Sequence, residues 1–227
     1  MRSLFTVHAG EYLVGSYIEQ RYKRVNVWTP SRDTGVDLPV SDHQNRQTVS
    51  LQVKFSKDYL AADMARSVKQ SSNLIFLKEL RACGWWTFNQ DKLRASMADY
   101  WVFVLQSLLR HTNDYVFVRP KEFLQRLRSI HGLLKKRIDS YLWVTEDEHC
   151  WETRDLQQKY RLQIAEGEYT DSSRDFTKWL NNWGPVAQLN RQQARHLTSG
   201  NTPQPSLQAA LNSNMVVESE DGRSDDC

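Results

Sequence analysis

The chain has 227 residues and a formal net charge of +3; 40% of its residues are hydrophobic and 25% are charged. These values are typical of a globular protein with one good-sized domain. No apolar run approaches the roughly 20 residues that a membrane-spanning helix needs. Residues 1–14 lack the long apolar core of a signal peptide, so a cytoplasmic protein is expected. Three scattered cysteines without a CxxC pair indicate neither a disulfide framework nor a zinc ribbon.

Apolar periodicity and turn residues predict a helix first, then strands, a second helix, another strand and a C-terminal helix. In the first half of the chain we predict a helix at 7–22, strands at 25–28, 34–40 and 48–56, and a helical or irregular stretch at 58–71. An apolar segment at 73–84 suits either helix or strand and ends at Gly84, and a short helix or turn follows at 89–96. The second half has predicted strands at 99–107, 114–120 and 140–145, a helix at 120–136 with Pro120 at its first position, and a capped helix at 172–184. This order predicts an α/β or α+β domain with a mixed sheet.

The charge is unevenly spread along the chain. The last twelve residues hold five acids and one Arg, a net charge of −4, which leaves +7 on residues 1–215. A mildly basic body is compatible with binding a polyanion. The composition predicts a folded domain over residues 1–195 and a disordered acidic tail over residues 196–227.

The strands predicted at 34–40 and 48–56 carry the residues with the most chemistry. Each has one apolar and one polar face, because residues two apart share a face. If both apolar faces are buried, the numbers of paired residues must sum to an odd value. A sum of 89 places Asp37 opposite Gln52, and a sum of 91 places Asp37 opposite Lys54. In either register the three side chains form one cluster.

A carboxylate, an amide oxygen and an ammonium in one cluster suit phosphodiester hydrolysis. Mg²⁺ binds hard oxygen ligands, usually one or two carboxylates with water and substrate phosphates. It polarises the phosphate and lowers the pKa of bound water, while a nearby lysine stabilises transition-state charge. Glu11, on the first predicted helix, is a candidate second carboxylate. The alternative interpretation is that these residues only form the solvent-exposed face of a hairpin.

The combination resembles the PD-(D/E)XK nuclease superfamily, which includes many restriction endonucleases and Holliday-junction resolvases. Its core motif is an Asp at the end of one strand, followed on the next strand by an acid or Gln, any residue, and Lys. Asp37 and Gln52-Val53-Lys54 match this motif, and Glu11 matches a Glu that the preceding helix often carries. The sequence DTG at 33–35 resembles the turn that commonly leads into the motif Asp.

The resemblance implies a restriction-endonuclease-like core, with a mixed central sheet flanked by helices. The family core is a helix, three antiparallel strands, a helix and a further strand. The segments that can be laid onto it are 8–22, 34–40, 48–56, 99–106, 114–119, 120–136 and 140–145, with an extra strand and an insertion at 57–98. The resemblance also implies Mg²⁺, replaceable by Mn²⁺, held by Glu11, Asp37, Gln52 and the main-chain carbonyl of Val53. Lys54 would position water or stabilise charge.

Two positions depart from the family pattern. Val36 stands where the family name has Pro, a frequent replacement. Gln52 stands in place of the acid, and an amide oxygen is a weaker metal ligand than a carboxylate. Glu11 therefore becomes more important as a ligand.

Two further segments have both a structural and a nucleic-acid-binding interpretation. Residues 121–137 hold six Lys or Arg and one Glu, so the predicted helix has either a solvated basic face or a face that contacts phosphates. In the segment 84–96, two Trp precede Lys92 and Arg94. These Trp are either core residues or a surface that stacks on bases.

Three functions from different classes follow from the sequence. The first is a Mg²⁺-dependent endonuclease that acts on DNA more readily than RNA, with a setting in restriction or phage defence. The second is a catalytically weak nuclease-fold module that binds nucleic acid or a partner protein. The third is a structural α/β protein in which Asp37, Gln52, Lys54 and Glu11 do not converge. A homodimer, common in the family, and a partner protein docked on the acidic tail are compatible with the first two.

Overall fold

A computed structural model describes residues 9–32, 34–56, 79–132 and 136–199 of the chain, with side chains up to Arg191. The elements in chain order are α1 (Ala9–Arg21), β1 (Val25–Val27), β2 (Leu38–Asp42), β3 (Thr48–Ser56), β4 (Leu80–Asn89), α2 (Gln90–Arg94), β5 (Tyr100–Ser107), β6 (Thr112–Val118), α3 (Pro120–His131), β7 (Arg137–Thr145), β8 (Cys150–Glu152), α4 (Gln158–Ala165), a 3₁₀ turn (Thr177–Trp179) and α5 (Gly184–Ser199).

The strands of the described residues form two sheets. One has five strands in the spatial order β1-β2-β3-β5-β6, and in it only β3 and β5 run parallel. The other has three antiparallel strands in the order β4-β7-β8. Two parallel neighbours cannot be joined by a tight turn, so a long connection is needed between them. The chain between β3 and β5 provides it and includes β4 and α2.

Hydrophobic clusters cover both faces of the five-stranded sheet. The first cluster lies between the two sheets and α3 and includes Phe103 and Phe123. The second cluster lies beneath α1 and the start of α5, where Val14 and Ile18 meet β3 and β5. Residues 101–105 of β5 are hydrophobic and all buried, because a strand covered on both faces has no solvent-facing side.

The fold is mixed α+β, with a mixed sheet flanked by helices, as the sequence predicts. Most predicted elements are confirmed with small shifts in their ends; these are α1, β1, β3, α2, β5, β6 and α3. β8, α4 and α5 were not predicted. The stretch predicted at 58–71 lies outside the described residues.

The strand predicted at 140–145 is confirmed as β7, but its assignment to the core sheet is wrong. β7 pairs antiparallel with β4, from Leu80 opposite Thr145 to Asn89 opposite Arg137. This partner is a ten-residue strand formed largely from the ambiguous segment 73–84 and the residues after it. A sequence pattern reports which face of β7 is buried, but not which strand it pairs with.

Gly84 does not end an element; it lies inside β4. A Cβ atom at this position would lie 2.2 Å from the ring of Trp86. The Trp86 ring therefore folds over the space that a side chain at Gly84 would occupy, and its other contacts are in the first cluster. Glycine inside a strand often marks such a close approach.

The helix predicted at 172–184 is also wrong, because this segment holds only the 3₁₀ turn. Asn181 exchanges hydrogen bonds with Tyr115 of β6: its side chain accepts the Tyr115 N–H, and its own N–H donates to the Tyr115 carbonyl. Leu180 forms a bridge with Val116 of the same strand. These bonds to a sheet edge compete with helical bonds and hold the segment in an irregular path.

The chain divides into two compact units, residues 1–191 and residues 192–227. In the second unit the described part is the helical backbone of Gln192–Ser199, and the rest of the predicted acidic tail lies outside the described residues. Within the described residues, no helix has the length and apolar character needed to cross a membrane.

Candidate functional site at the end of β2 and β3

β2 and β3 pair in one of the two predicted registers, and Leu38, the residue after Asp37, is the first residue of β2 in this pairing. Leu38 lies opposite Leu51, so the paired numbers sum to 89. The strand predicted at 34–40 therefore starts later, at Leu38. Val36 packs on the first cluster, whereas Leu38 lies in the second, so the predicted alternation breaks at Asp37.

A turn precedes this break. Gly35 has φ +79°, a left-handed conformation that glycine adopts at no steric cost. The chain therefore changes direction immediately before Asp37 and enters β2 from outside the sheet. Of the turn that the family resemblance implies at residues 33–35, Asp33 lies outside the described residues.

The Asp37 carboxylate takes the place of a strand partner for Val53. Its Oδ2 accepts the main-chain N–H of Val53 at 2.6 Å, and the Asp37 N–H donates to the carbonyl of Leu51 at 2.8 Å. β3 continues to Ser56 while β2 begins only at Leu38, so within the described residues no strand pairs with the second half of β3 on this edge, here named the gap. The N–H and C=O of one strand residue point the same way, so the Val53 carbonyl also faces this gap.

Gln52 and Lys54 lie on the face of β3 that looks toward the three-stranded sheet. Both side chains are half-buried. The Lys54 Nζ lies 5.1 Å from the ring centroid of Trp101, a cation–π distance that favours the charged ammonium. Trp101 is held in turn by a hydrogen bond from its Nε1 to Ser96 Oγ at 2.8 Å. The Gln52 amide has no hydrogen-bond partner among the described residues.

Glu11 lies in the first turn of α1, which packs against the same half of β3 on its other face. A Cβ atom at Gly10 would lie 2.7 Å from Cβ of Phe55 and 3.1 Å from a methyl carbon of Val53. The helix start therefore touches the strand, and only glycine permits this approach. Glu11 itself is half-buried.

The predicted residues thus gather at one end of β3, but not all in direct contact. Asp37 contacts Val53 and lies in the gap at the sheet edge. Gln52 and Lys54 lie on one face of this edge, and the helix that carries Glu11 lies on the other. The gap beside Asp37 is where the two faces meet.

The donor atoms of this set fit a hard cation. The described residues contain no group of three or more His, Cys, Asp and Glu side chains placed to hold a metal ion. The candidate set is different in kind, with two carboxylates, one amide oxygen and one main-chain carbonyl. All are oxygen donors, as Mg²⁺ requires. One hydrogen bond from Val53 does not exhaust Asp37, because an ionised carboxylate offers about four lone-pair sites.

Two residues near the site were missed from the sequence. Trp101 holds the Lys54 ammonium, and Ser56 joins the site to β4: its hydroxyl accepts the Trp85 N–H at 2.9 Å and donates to the Trp85 carbonyl at 3.4 Å. The even positions of β3 share one face, so the alternation that identified Lys54 also identifies Ser56 as its neighbour. The pairing of β3 with β5, which brings Trp101 close, is not readable from periodicity.

The basic helix α3 uses two of its arginines to hold the fold. Arg126 donates to the carbonyls of Ser172 and Ser173 and stacks over Trp179. Arg128 donates from Nε to the Gln90 side chain at 2.9 Å. Arg126 and Arg128 therefore have a structural role rather than a role in contacting phosphates.

The two Trp of the segment 84–96 separate into different environments. Trp86 is buried and packs edge-to-face on Phe103 at 5.0 Å between ring centroids. Trp85 is 38% exposed on the opposite face of β4. The core interpretation is therefore correct for Trp86, and the surface interpretation stays open for Trp85.

A second acid–base cluster lies far from solvent. Glu152 is fully buried and accepts hydrogen bonds from Arg174 at 2.7 Å and from the N–H groups of Tyr141 and Arg154 at 3.3 and 3.2 Å. The buried His131 places Nε2 3.3 Å from the same carboxylate. Each carboxylate oxygen has a partner within the fold, so this cluster stabilises the junction of α3, β7 and β8.

His149 and Cys150 do not form a metal site. The His149 Nδ1 lies 2.9 Å from Asp147 at the surface, beside a small cavity of about 50 Å³. The Cys150 side chain points into the first cluster, and burial raises the pKa of its thiol well above the ordinary value. Adjacent strand residues point to opposite faces, so the two side chains cannot bind one ion.

No protein family model, curated protein or solved structure matches the chain.

Proposed function

We propose that the protein is a divalent-metal-dependent nuclease that hydrolyses phosphodiester bonds, with its active site in the gap at the end of β2. The observation that carries the proposal is Asp37, whose carboxylate lies where β2 and β3 separate and bonds the N–H of Val53. The half-buried Lys54 lies one residue further along β3. The antiparallel pairing of β2 with β3 after α1 supports the proposal, whereas β5, the third segment laid onto the family's antiparallel strands, runs parallel to β3.

Each residue of the site has a distinct role in this proposal. Asp37, Glu11, the Gln52 amide and the Val53 carbonyl would hold Mg²⁺, or Mn²⁺ in its place. The bound ion would polarise the scissile phosphate and lower the pKa of a water molecule. Lys54 stays protonated against Trp101 and stabilises the negative charge that develops on the phosphate oxygens. Val53 fixes the Asp37 carboxylate, which reduces the cost of ordering it during the reaction.

DNA is the preferred substrate in this proposal, with RNA as the variant that the same chemistry permits. A setting in restriction or phage defence, a homodimer and a cytoplasmic location are expectations from the family resemblance. Their only support in the chain is general, namely the net charge of +7 over residues 1–215.

A second candidate is a nuclease-fold module that binds nucleic acid or a partner protein without cleaving it. The observation that favours it is Gln52, whose amide replaces the acid of the motif. A site with two carboxylates on different elements binds Mg²⁺ more weakly than one with three. The two candidates differ in whether Asp37 is needed for a chemical step.

A cleavage assay separates them. Wild type would be incubated with plasmid, linear duplex DNA, single-stranded DNA and RNA, in Mg²⁺, in Mn²⁺ and in EDTA. The matched control is Asp42→Asn at the other end of β2, where the carboxylate accepts the Arg46 N–H at 2.8 Å. We expect metal-dependent cleavage that Asp37→Asn abolishes and Asp42→Asn retains. Binding without cleavage in either metal would favour the binding module.

A further inference from the structure

The outer face of the three-stranded sheet carries a group of aromatic and basic side chains, here named the aromatic face. Trp85 of β4 lies directly opposite Tyr141 of β7, and their rings are near-parallel, 5.9 Å apart between centroids. Trp143 projects from the same face of β7, because residues two apart in a strand share a face. The inner residues of both strands, by contrast, are buried in the first cluster.

Two arginines lie over the rings of this face. The Arg154 guanidinium is 5.5 Å from the Tyr141 ring centroid, and the Arg161 guanidinium is 5.7 Å from that of Trp143. Arg154 also pairs with Asp155 at 3.2 Å and with Asp139 at 3.7 Å, so two carboxylates balance its charge. Arg161 forms no ion pair within the described part of the chain. Guanidinium groups over aromatic rings present charge and a flat apolar surface together.

The aromatic face adjoins the proposed active site. Ser56 follows Lys54 by two residues on the same face of β3, which corresponds to roughly 7 Å along a strand. The Ser56 hydroxyl accepts the Trp85 N–H at 2.9 Å, so Trp85 is anchored beside the end of the site. Trp85 keeps 38% of its surface exposed.

We infer that the aromatic face binds single-stranded nucleic acid next to the site, with a base stacked on Trp85 and a phosphate near Arg161. Every nucleobase has a flat apolar surface, and grooves that combine aromatic rings with cations bind single strands through stacking and phosphate contacts. A base in a duplex already has both faces stacked on its neighbours. The aromatic face therefore selects unpaired nucleotides, which makes a single strand, or a duplex with an unpaired segment, the substrate class.

This inference rests on the proposed function for its meaning, but its test does not require cleavage. Binding of a fluorescently labelled 20-nucleotide single-stranded DNA would be measured by anisotropy in EDTA, for wild type, Trp85→Ala and Trp85→Phe. The matched control is Tyr12→Ala, which removes an aromatic side chain that is 73% exposed on α1. A duplex of the same sequence serves as the second probe, and melting temperatures show whether each variant is folded.

We expect Trp85→Ala to weaken single-strand binding at least about fivefold, as the loss of one stacked base predicts. Trp85→Phe should bind within about twofold of wild type because it keeps a ring that stacks. Duplex binding and the Tyr12→Ala variant should change little. Wild-type affinity in a folded Trp85→Ala variant, or an equal loss for the duplex, would overturn the inference.

The same proteins assayed for cleavage in Mg²⁺ distinguish the two proposals. If wild type cleaves DNA and Trp85→Ala binds and cleaves like wild type, the inference about the aromatic face is wrong and the nuclease stands. If single-strand binding depends on Trp85 but cleavage never occurs, the nuclease is wrong and the aromatic face stands.

Discussion

The carboxylates of Glu152 and Asp37 differ in how they are satisfied. Glu152 is fully buried, and its two oxygens are engaged by Arg174, by His131 and by main-chain N–H groups. Asp37 lies half-buried at a strand end, with one oxygen on the Val53 N–H. The Glu152 carboxylate therefore stabilises the contact between elements of the fold. The Val53 N–H holds the Asp37 carboxylate in place, and an ionised carboxylate has about four lone-pair sites.

The largest expected effect is the loss of stability when the buried Glu152 is replaced. Glu152→Ala removes the buried carboxylate beside Arg174 and His131, which leaves Arg174 mainly with two main-chain carbonyls. Loss of one partner of a buried ion pair costs about 3–5 kcal/mol. Urea denaturation followed by circular dichroism measures the free energy of unfolding. A loss below about 1 kcal/mol would mean that water satisfies the cluster and that its burial has no consequence.

The next effect concerns chemistry rather than stability. Lys54→Ala removes the ammonium that lies against Trp101, and loss of one charge-stabilising group typically lowers turnover about 100- to 1,000-fold. Its melting temperature should stay close to that of wild type, because Lys54 is half-buried. Initial cleavage rates at saturating DNA measure the effect. A rate within about threefold of wild type would remove Lys54 from the mechanism.

A smaller effect sharpens the role of the unusual amide. Gln52→Glu adds a carboxylate to the candidate metal site, and affinity for divalent cations rises with the number of charged ligands. We expect the Mg²⁺ concentration that gives half-maximal cleavage to fall roughly three- to tenfold. If the variant requires more Mg²⁺ than wild type, Gln52 is not a ligand.

The smallest effect concerns an exposed carboxylate away from both clusters. Burial alone would raise the pKa of Asp147, but the hydrogen bond from Thr145 and the nearby His149 outweigh it and lower this pKa below the ordinary value of 3.8. A lowered pKa stabilises the fold at pH values above 3.8, and this stabilisation is lost as the pH falls through the folded-state value. We expect Asp147→Asn to cost about 0.5 kcal/mol at pH 7, with little difference from wild type below pH 3, in urea denaturation at both pH values. An equal cost at both pH values would contradict this origin.

Local patterns predicted much of the candidate site. The alternation of β3 identified Gln52 and Lys54 as neighbours on one face, and the paired register was one of the two that burial of both apolar faces allows. The break at Asp37 was not predicted, because Val36 continues the apolar pattern while its side chain packs on the other cluster. Alternation reports the character of each residue but not the point at which a strand leaves its sheet.

The second sheet and the buried cluster were beyond sequence reasoning for a different reason. The paired residues of β4 and β7 lie 48 to 65 positions apart in the sequence, and local propensity does not encode such a contact. The ring of Trp86 over Gly84 and the bonds of Asn181 to Tyr115 are likewise tertiary. Because of these contacts, Gly84 lies inside a strand rather than at the end of an element, and the segment predicted as a helix at 172–184 is irregular.

The central claim is that the Asp37 carboxylate binds a divalent cation, whereas Glu152 stabilises the fold, and Mn²⁺ binding tests this claim most directly. Electron paramagnetic resonance would count bound Mn²⁺ for wild type, Asp37→Asn, Asp42→Asn and Glu152→Gln at equal protein concentration. The account predicts one bound Mn²⁺ in wild type and in the folded Asp42→Asn and Glu152→Gln variants. Asp37→Asn removes a charged ligand, so its affinity for Mn²⁺ should be at least tenfold weaker, which corresponds to about 1.4 kcal/mol of binding free energy. Mn²⁺ bound equally by wild type and Asp37→Asn would contradict it.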